Sequence, residues 1–97
     1  MILNDLIEYL NLSLNSKDSD RLNYIKQFQQ IVWNDESIQD ETLNNILTDI
    51  AYILDFYEPS TILREQDTNY YGEERLEKEL KYAIQILKPY GENMLLE

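Results

Sequence analysis

Ser37-Ile38-Gln39-Asp40-Glu41-Thr42-Leu43-Asn44-Asn45-Ile46-Leu47-Thr48-Asp49-Ile50-Ala51-Tyr52-Ile53-Leu54-Asp55-Phe56-Tyr57-Glu58-Pro59 is the stretch whose pattern decides the fold class. Leu43, Ile46, Leu47, Ile50, Ile53, Leu54 and Tyr57 fall within about 120° on a wheel of ~100° per residue. A helix with that spacing buries one side, whereas a strand would send alternate residues to opposite faces. Ser37-Ile38-Gln39-Asp40 opens it like a capping box, with Asp in place of the usual Glu or Gln. Pro59 closes it, because the residue before a proline is pushed out of the helical region. The expected helix runs from this box to about Tyr57.

The same periodicity extends in both directions. Toward the N-terminus, Leu3, Leu6, Ile7, Leu10 and Leu14 predict a helix from Ile2 to Leu12 or Leu14. A polar loop, residues 15–19, separates it from a second helix over about Asp20 to Trp33, with Asp18 or Ser19 as N-cap. Leu22, Ile25, Phe28, Val32 and Trp33 share one broad face of that helix, with Tyr24 and Ile31 at its edge. Toward the C-terminus, Leu76, Leu80, Ala83, Ile84 and Leu87 predict a helix from Glu73 to Lys88. Pro89 is expected to stop it, leaving residues 90–97 as a loose tail. The connection over 58–71 is long and irregular, with a short helical turn over Ser60 to Glu65 and turn chemistry at Asp67-Thr68-Asn69. The expectation is an all-α protein, a four-helix bundle in one domain spanning 1–97.

Composition agrees with helices. Two glycines and two prolines in 97 residues are too few for a turn-rich β fold. Without cysteine there is neither disulfide nor thiolate metal site. Met1-Ile2-Leu3-Asn4-Asp5 is not a secretory signal, and no apolar run approaches the ~18–20 residues of a membrane span. The cytoplasm is the expected location. A net charge of −11 would repel nucleic acid and anionic lipid and steer a basic partner inward. Net charge of this sign also serves solubility alone.

Catalytic equipment is sparse. The chain has no histidine and no cysteine, which removes Ser-His and Cys-His nucleophiles. Gly72 and Gly91 are its only glycines, so no phosphate-cradling loop exists. Asp67-Thr68-Asn69-Tyr70-Tyr71-Gly72 begins like a calcium loop. It then places Tyr71 at the fifth position and Lys78 at the twelfth, where a bidentate glutamate is required. The expectation is neither enzyme nor cofactor nor metal.

Recognition is what remains. Between Lys26 and Arg64 there is no basic residue, while Asp35, Glu36, Asp40, Glu41, Asp49, Asp55 and Glu58 all fall in that window. Opposite the apolar stripe of the third helix lie Glu41, Asn45, Thr48, Asp49, Tyr52, Asp55 and Phe56. Aromatics ringed by charge resemble an interface hot spot, and eight tyrosines suit one. Asp67, Tyr70, Tyr71, Glu73 and Glu74 would extend the surface. The competing reading packs Tyr52 and Phe56 on the turn near Ile62 and Leu63, with Tyr70-Tyr71 closing the bundle.

Asp49-Ile50-Ala51-Tyr52-Ile53-Leu54-Asp55-Phe56-Tyr57-Glu58-Pro59, followed by Tyr70-Tyr71-Gly72-Glu73-Glu74, resembles a pattern in small acidic bacterial immunity proteins. Those proteins accompany colicin-like or contact-dependent growth-inhibition toxins. The likeness covers about half the chain, residues 43–87, and transfers no role residue by residue. It implies a toxin partner, such as a nuclease with a basic cleft. Asp49, Asp55, Glu58 and Asp67 would meet its Lys or Arg, and Tyr52, Phe56, Tyr70 and Tyr71 would anchor the contact. Two other functions fit the composition: a helical adaptor in a larger assembly, and a nucleic-acid mimic that binds a basic host protein.

Overall fold

In the computed structural model the described residues, 2–34 and 38–96 (side chains 3–34 and 38–91), form five helices and no strand. They are α1 (Ile2–Asn15), α2 (Asp18–Asn34), α3 (Glu41–Leu54), α4 (Thr61–Arg64) and α5 (Glu73–Leu96). The fold is all-α, as the periodicity predicts. Ser37, the expected first cap of α3, lies outside the described residues, as do Asp35 and Glu36.

The four long helices form a ring. α1 packs against α2 and α5, and α3 packs against α2 and, more thinly, α5. Leu3, Leu6 and Leu10 from α1 meet Ile25 and Phe28 from α2 in the centre, with Leu43, Leu47 and Leu54 from α3 and Leu76, Leu80 and Leu87 from α5. Each is essentially removed from water, a gain of roughly 1.5–3 kcal/mol per large aliphatic side chain. The α1–α2 turn is tight. Asp18 takes a φ of 55°, a left-handed value that aspartate tolerates better than most residues.

α2 begins at Asp18, inside the expected polar loop of residues 15–19, which shortens to Ser16 and Lys17, and three further boundaries depart from expectation. α3 is capped by Asp40, whose carboxylate accepts from the Leu43 amide at 2.9 Å. It ends at Leu54 rather than Tyr57, because the next amides tighten onto carbonyls three residues back: Asp55 N to Tyr52 O at 3.1 Å and Phe56 N to Ile53 O at 3.2 Å. Tyr57 then leaves the helix and pairs with Tyr71. Glu58 N donates to Tyr71 O at 2.9 Å and Tyr71 N to Phe56 O at 3.1 Å, forming an isolated parallel bridge. The bridge joins both ends of the 58–70 connection, which makes that segment an Ω-loop. Inside it, α4 is capped by Ser60, and Asp67 accepts from the Asn69 amide at 2.8 Å.

The last departure is at Pro89, which lies inside α5 and does not end it. Residues 90–96 are helical, so the expected loose tail from residue 90 is corrected. Proline removes the bond to the Gln85 carbonyl and crowds it. Packing beyond it offsets that loss: Tyr90 joins the rim of the core and Gly91 is buried. A Cβ at Gly91 would stand 3.2 Å from Ile7 Cδ1 and 3.3 Å from Asn4 Oδ1, so α5 approaches α1 closely there.

Because Pro89 is exposed and its helix continues regardless, Pro89→Ala restores the missing donor without disturbing the core. The expected gain is about 1–2 kcal/mol, after the larger freedom of the unfolded alanine chain is subtracted. A urea titration should show a higher midpoint at unchanged slope. An unchanged or lower midpoint would mean that the helix is not continuous through this position.

Candidate protein-binding site

Arg21, near the start of α2, is only 5% exposed, and its guanidinium is fully engaged. Nε donates to Ser13 O at 2.9 Å and Nη2 to Leu14 O at 3.0 Å, so the cation sits on the last carbonyls of α1. Nη1 meets Glu73 Oε2 at 2.6 Å, and Nη2 reaches Glu77 Oε1 at 3.5 Å. Glu73 occupies the first turn of α5, where a carboxylate favours the helix dipole. Its other oxygen accepts from the Tyr57 hydroxyl. One buried charge thus ties the end of α1 to the start of α5 and, through Tyr57, to the segment leaving α3.

A second set of bonds holds the C-terminal end of α3. Gln29, 6% exposed on α2, donates to Ala51 O at 3.0 Å and approaches Asp55 Oδ1 at 3.5 Å. The Tyr71 hydroxyl donates to Ile53 O at 2.9 Å. Ala51 O already accepts from Asp55 N and Ile53 O from Phe56 N, each at 3.2 Å, and the two side chains add a second bond to each carbonyl from outside the helix. Burial raises the pKa of Tyr57, helped by its bond to Glu73 and that residue's charge. Burial also raises that of Tyr71, with Glu79 adding to the effect and Arg75 opposing it.

The expected recognition residues divide accordingly. Tyr71 was expected as a surface anchor but is 6% exposed, so it belongs to the core and to the clasp formed by these two sets of bonds. Glu73 is half exposed but committed to Arg21 and Tyr57. Glu58 and Asp67 are half-buried and serve the loop; Glu58 Oε2 accepts weakly from the Ser60 amide at 3.4 Å. Glu74 is exposed, 4.0 Å from Lys78, and lines a hollow with Arg64, Arg75 and Lys78. What the fold brings together in the open is Asp49, Tyr52, Asp55 and half-buried Phe56 along α3, with Tyr70 exposed at the end of the loop.

Tyr52 is 63% exposed and stacks edge-on against Phe56, ring centres 5.1 Å apart. It does not pack beneath α4, whose Ile62 and Leu63 are themselves exposed. Thr68, Asn69 and Arg75 complete a shallow depression of about 310 Å³ around the pair. Arg75 is a cation that the local charge pattern of α3 does not reveal. Its guanidinium lies over the Tyr71 ring, 4.8 Å from the centroid, and pairs with Glu79 at 3.5 Å. Arg64, first cation after the acidic window, folds away over Gly72, where a Cβ would collide with its guanidinium. The acidic face of α3 therefore has one cation at its aromatic end and none along Glu41, Asp49 and Asp55 among the described ion pairs.

Sequence reasoning missed Arg21 and Gln29. Both fall on the stripe Arg21-Ile25-Phe28-Gln29-Val32, a helical spacing that places them inward. It also missed a second stripe on α5, Glu79-Tyr82-Ile86, which faces Ile46 and Ile53 of α3. Among the described residues no cluster of carboxylates is arranged to hold a metal ion, and no helix is long and apolar enough to cross a membrane.

Two outcomes follow from the clasp. Arg21→Met keeps volume and helix preference but strips partners from two carbonyls and from Glu73. It should lower stability by about 2–4 kcal/mol, seen as a fall in Tm of ~10–20 °C. Second, the native chain holds the Tyr57 and Tyr71 protons more tightly than the unfolded chain, whose tyrosines ionise near the ordinary 10.0. Their contribution is therefore complete below pH 10 and is lost as pH rises beyond it. Urea midpoints should drop between pH 9.5 and 11.5, and Tyr57→Phe with Tyr71→Phe should flatten that drop. An equal drop in the double variant would assign it to general charge repulsion.

No family model matches the chain, and neither a curated protein nor a solved structure matches it.

Proposed function

We propose that the chain is an inhibitory binding protein of the immunity type. Its α3 face docks on the basic surface of a cognate antibacterial toxin, a nuclease cleft being the natural target. The observation that carries this reading is the exposed row Asp49–Tyr52–Asp55, with Phe56 stacked on Tyr52. Protein folding gains little from a 63%-exposed tyrosine beside solvated carboxylates. A basic partner would gain both an aromatic anchor and complementary charge. The overall −11 charge would raise the association rate and keep nucleic acid from sharing the site.

The adaptor reading draws on one observation, the 52% exposure of Trp33 at the end of α2. It requires salt-insensitive assembly rather than charge-driven pairing.

The test is capture with the tagged chain from its own cell, after nuclease treatment, eluted across a salt gradient. The expected product is a single basic protein that elutes at high salt and is toxic when expressed alone. Asp55→Lys with Tyr52→Ala should weaken its binding at least 30-fold while leaving Tm within a few degrees. Capture of only the chain itself, or a salt-insensitive assembly, would replace this function with the adaptor. Undiminished binding by the double variant would remove the α3 face from it.

A further inference from the structure

The side of the helix ring between α3 and α5 is the thinnest of the four. An open groove of about 260 Å³ runs there. Ile46 and Ile53 of α3 face Ile86 of α5 across it, all partly exposed, above the buried Ile50, Leu54 and Ala83. Asp49 stands on the α3 rim, and Glu79 and Tyr82 stand on the α5 rim, with Tyr82 62% exposed. Ile53 also lines the depression that holds Tyr52 and Phe56, so the two hollows form one strip along the outer edge of α3.

We propose that this groove binds an amphipathic helix of the partner, with aliphatic residues at i, i+3 or i+4 and i+7 in the groove and Lys or Arg flanking them. The proposal rests on the reading above and assigns that partner its docking element. Three arguments select this occupant. The groove is smaller than the roughly 300–1,000 Å³ of small-molecule sites but suits the anchors of a helix. It lies between two helices, so a third can fit into it as the bundle helices fit one another. Its α3 rim carries Asp49, which has no cation among the described ion pairs, and its α5 rim carries Glu79, shared with Arg75, so the cationic flank is drawn mainly to the α3 side. A second copy of this chain is disfavoured on the same ground. A two-fold contact through this groove would bring the Asp49 and Glu79 rims of both copies together, between two bodies each of charge −11.

The probe is a fluorescent 18-residue helical peptide with Leu at i, i+3, i+4 and i+7 and Lys elsewhere. A control peptide keeps the leucines and replaces every Lys by Glu. With the Ile methyls of the full chain labelled for NMR, the Lys peptide should shift Ile46, Ile53 and Ile86 saturably. The Glu peptide should bind at least tenfold more weakly. Tyr82→Asp, an exposed change checked by an unaltered melting curve, should weaken the Lys peptide at least tenfold, and Asp49→Lys should do so independently. Equal binding of both peptides, shifts confined to other methyls, or concentration-dependent shifts of these methyls in the free chain would overturn the proposal, the last by assigning the groove to a second copy. The two levels separate on the captured partner. If Tyr82→Asp leaves its affinity intact while Asp55→Lys with Tyr52→Ala abolishes it, the groove inference falls and the α3 face stands.

Discussion

Burying the Arg21 guanidinium is the constraint on which the rest of the arrangement depends. A cation cannot be taken out of water in a small helical protein unless its donors are met, and truncating it strands the groups it served. The last turn of α1 carries no basic residue of its own, and Arg21 reaches its carbonyls from α2. The first turn of α5 carries Glu73, which brings the opposite charge to the same place. Both helix dipoles favour the pairing. Glu73 then has one oxygen left, and Tyr57 takes it. The exit of α3, the bridge to Tyr71 and the footing of the Ω-loop are all fixed relative to one cation.

The core half of this plan was legible in the sequence, and the polar half was not. Leu43, Leu47, Ile50 and Leu54 are buried where the wheel places them, as are Leu76, Leu80, Ala83 and Leu87. Periodicity encodes such residues because hydrophobic burial is non-directional and needs only a face. Arg21 was illegible for the opposite reason. A charge at an inward position is read as solvated until its partners are known, and its two carboxylate partners lie 52 and 56 residues away. Tyr70 and Tyr71 are neighbours with similar claims on an interface. A bridge to Tyr57 turns one inward and leaves the other 38% exposed, and only non-local pairing decides which. Pro89 illustrates local chemistry overruled by tertiary contact. Its stop signal is real, but the buried Gly91 against Ile7 and Asn4 holds the helix through it.

The candidate surface was legible as composition and illegible as shape. That α3 would turn aromatics and carboxylates outward follows from its wheel. That Arg75 would reach the aromatic end from α5, and that Arg64 would instead lie over Gly72, required the fold. The exposed strip is consequently graded: acidic along Glu41, Asp49 and Asp55, and mixed where Arg75 and Glu79 pair. Such grading gives an interface a register as well as an attraction, because a partner must match both ends at once.

The thin side of the helix ring and the acidic face share one cause. α3 is held from behind, through Gln29 on Ala51 O and Tyr71 on Ile53 O, rather than by deep interdigitation with α5. Those bonds are directional and sit at its C-terminal end, where the helix would otherwise fray. Their effect is to fix the position of α3 without closing its outer edge. Ile46 and Ile53 lie on that edge, apolar but only partly covered, on either side of Asp49, with Ile53 next to Tyr52. A surface held rigid by its back loses little entropy when a partner binds its front. The polar bonds that look like fine detail of helix capping are therefore what would preorganise the exposed strip for the proposed partner.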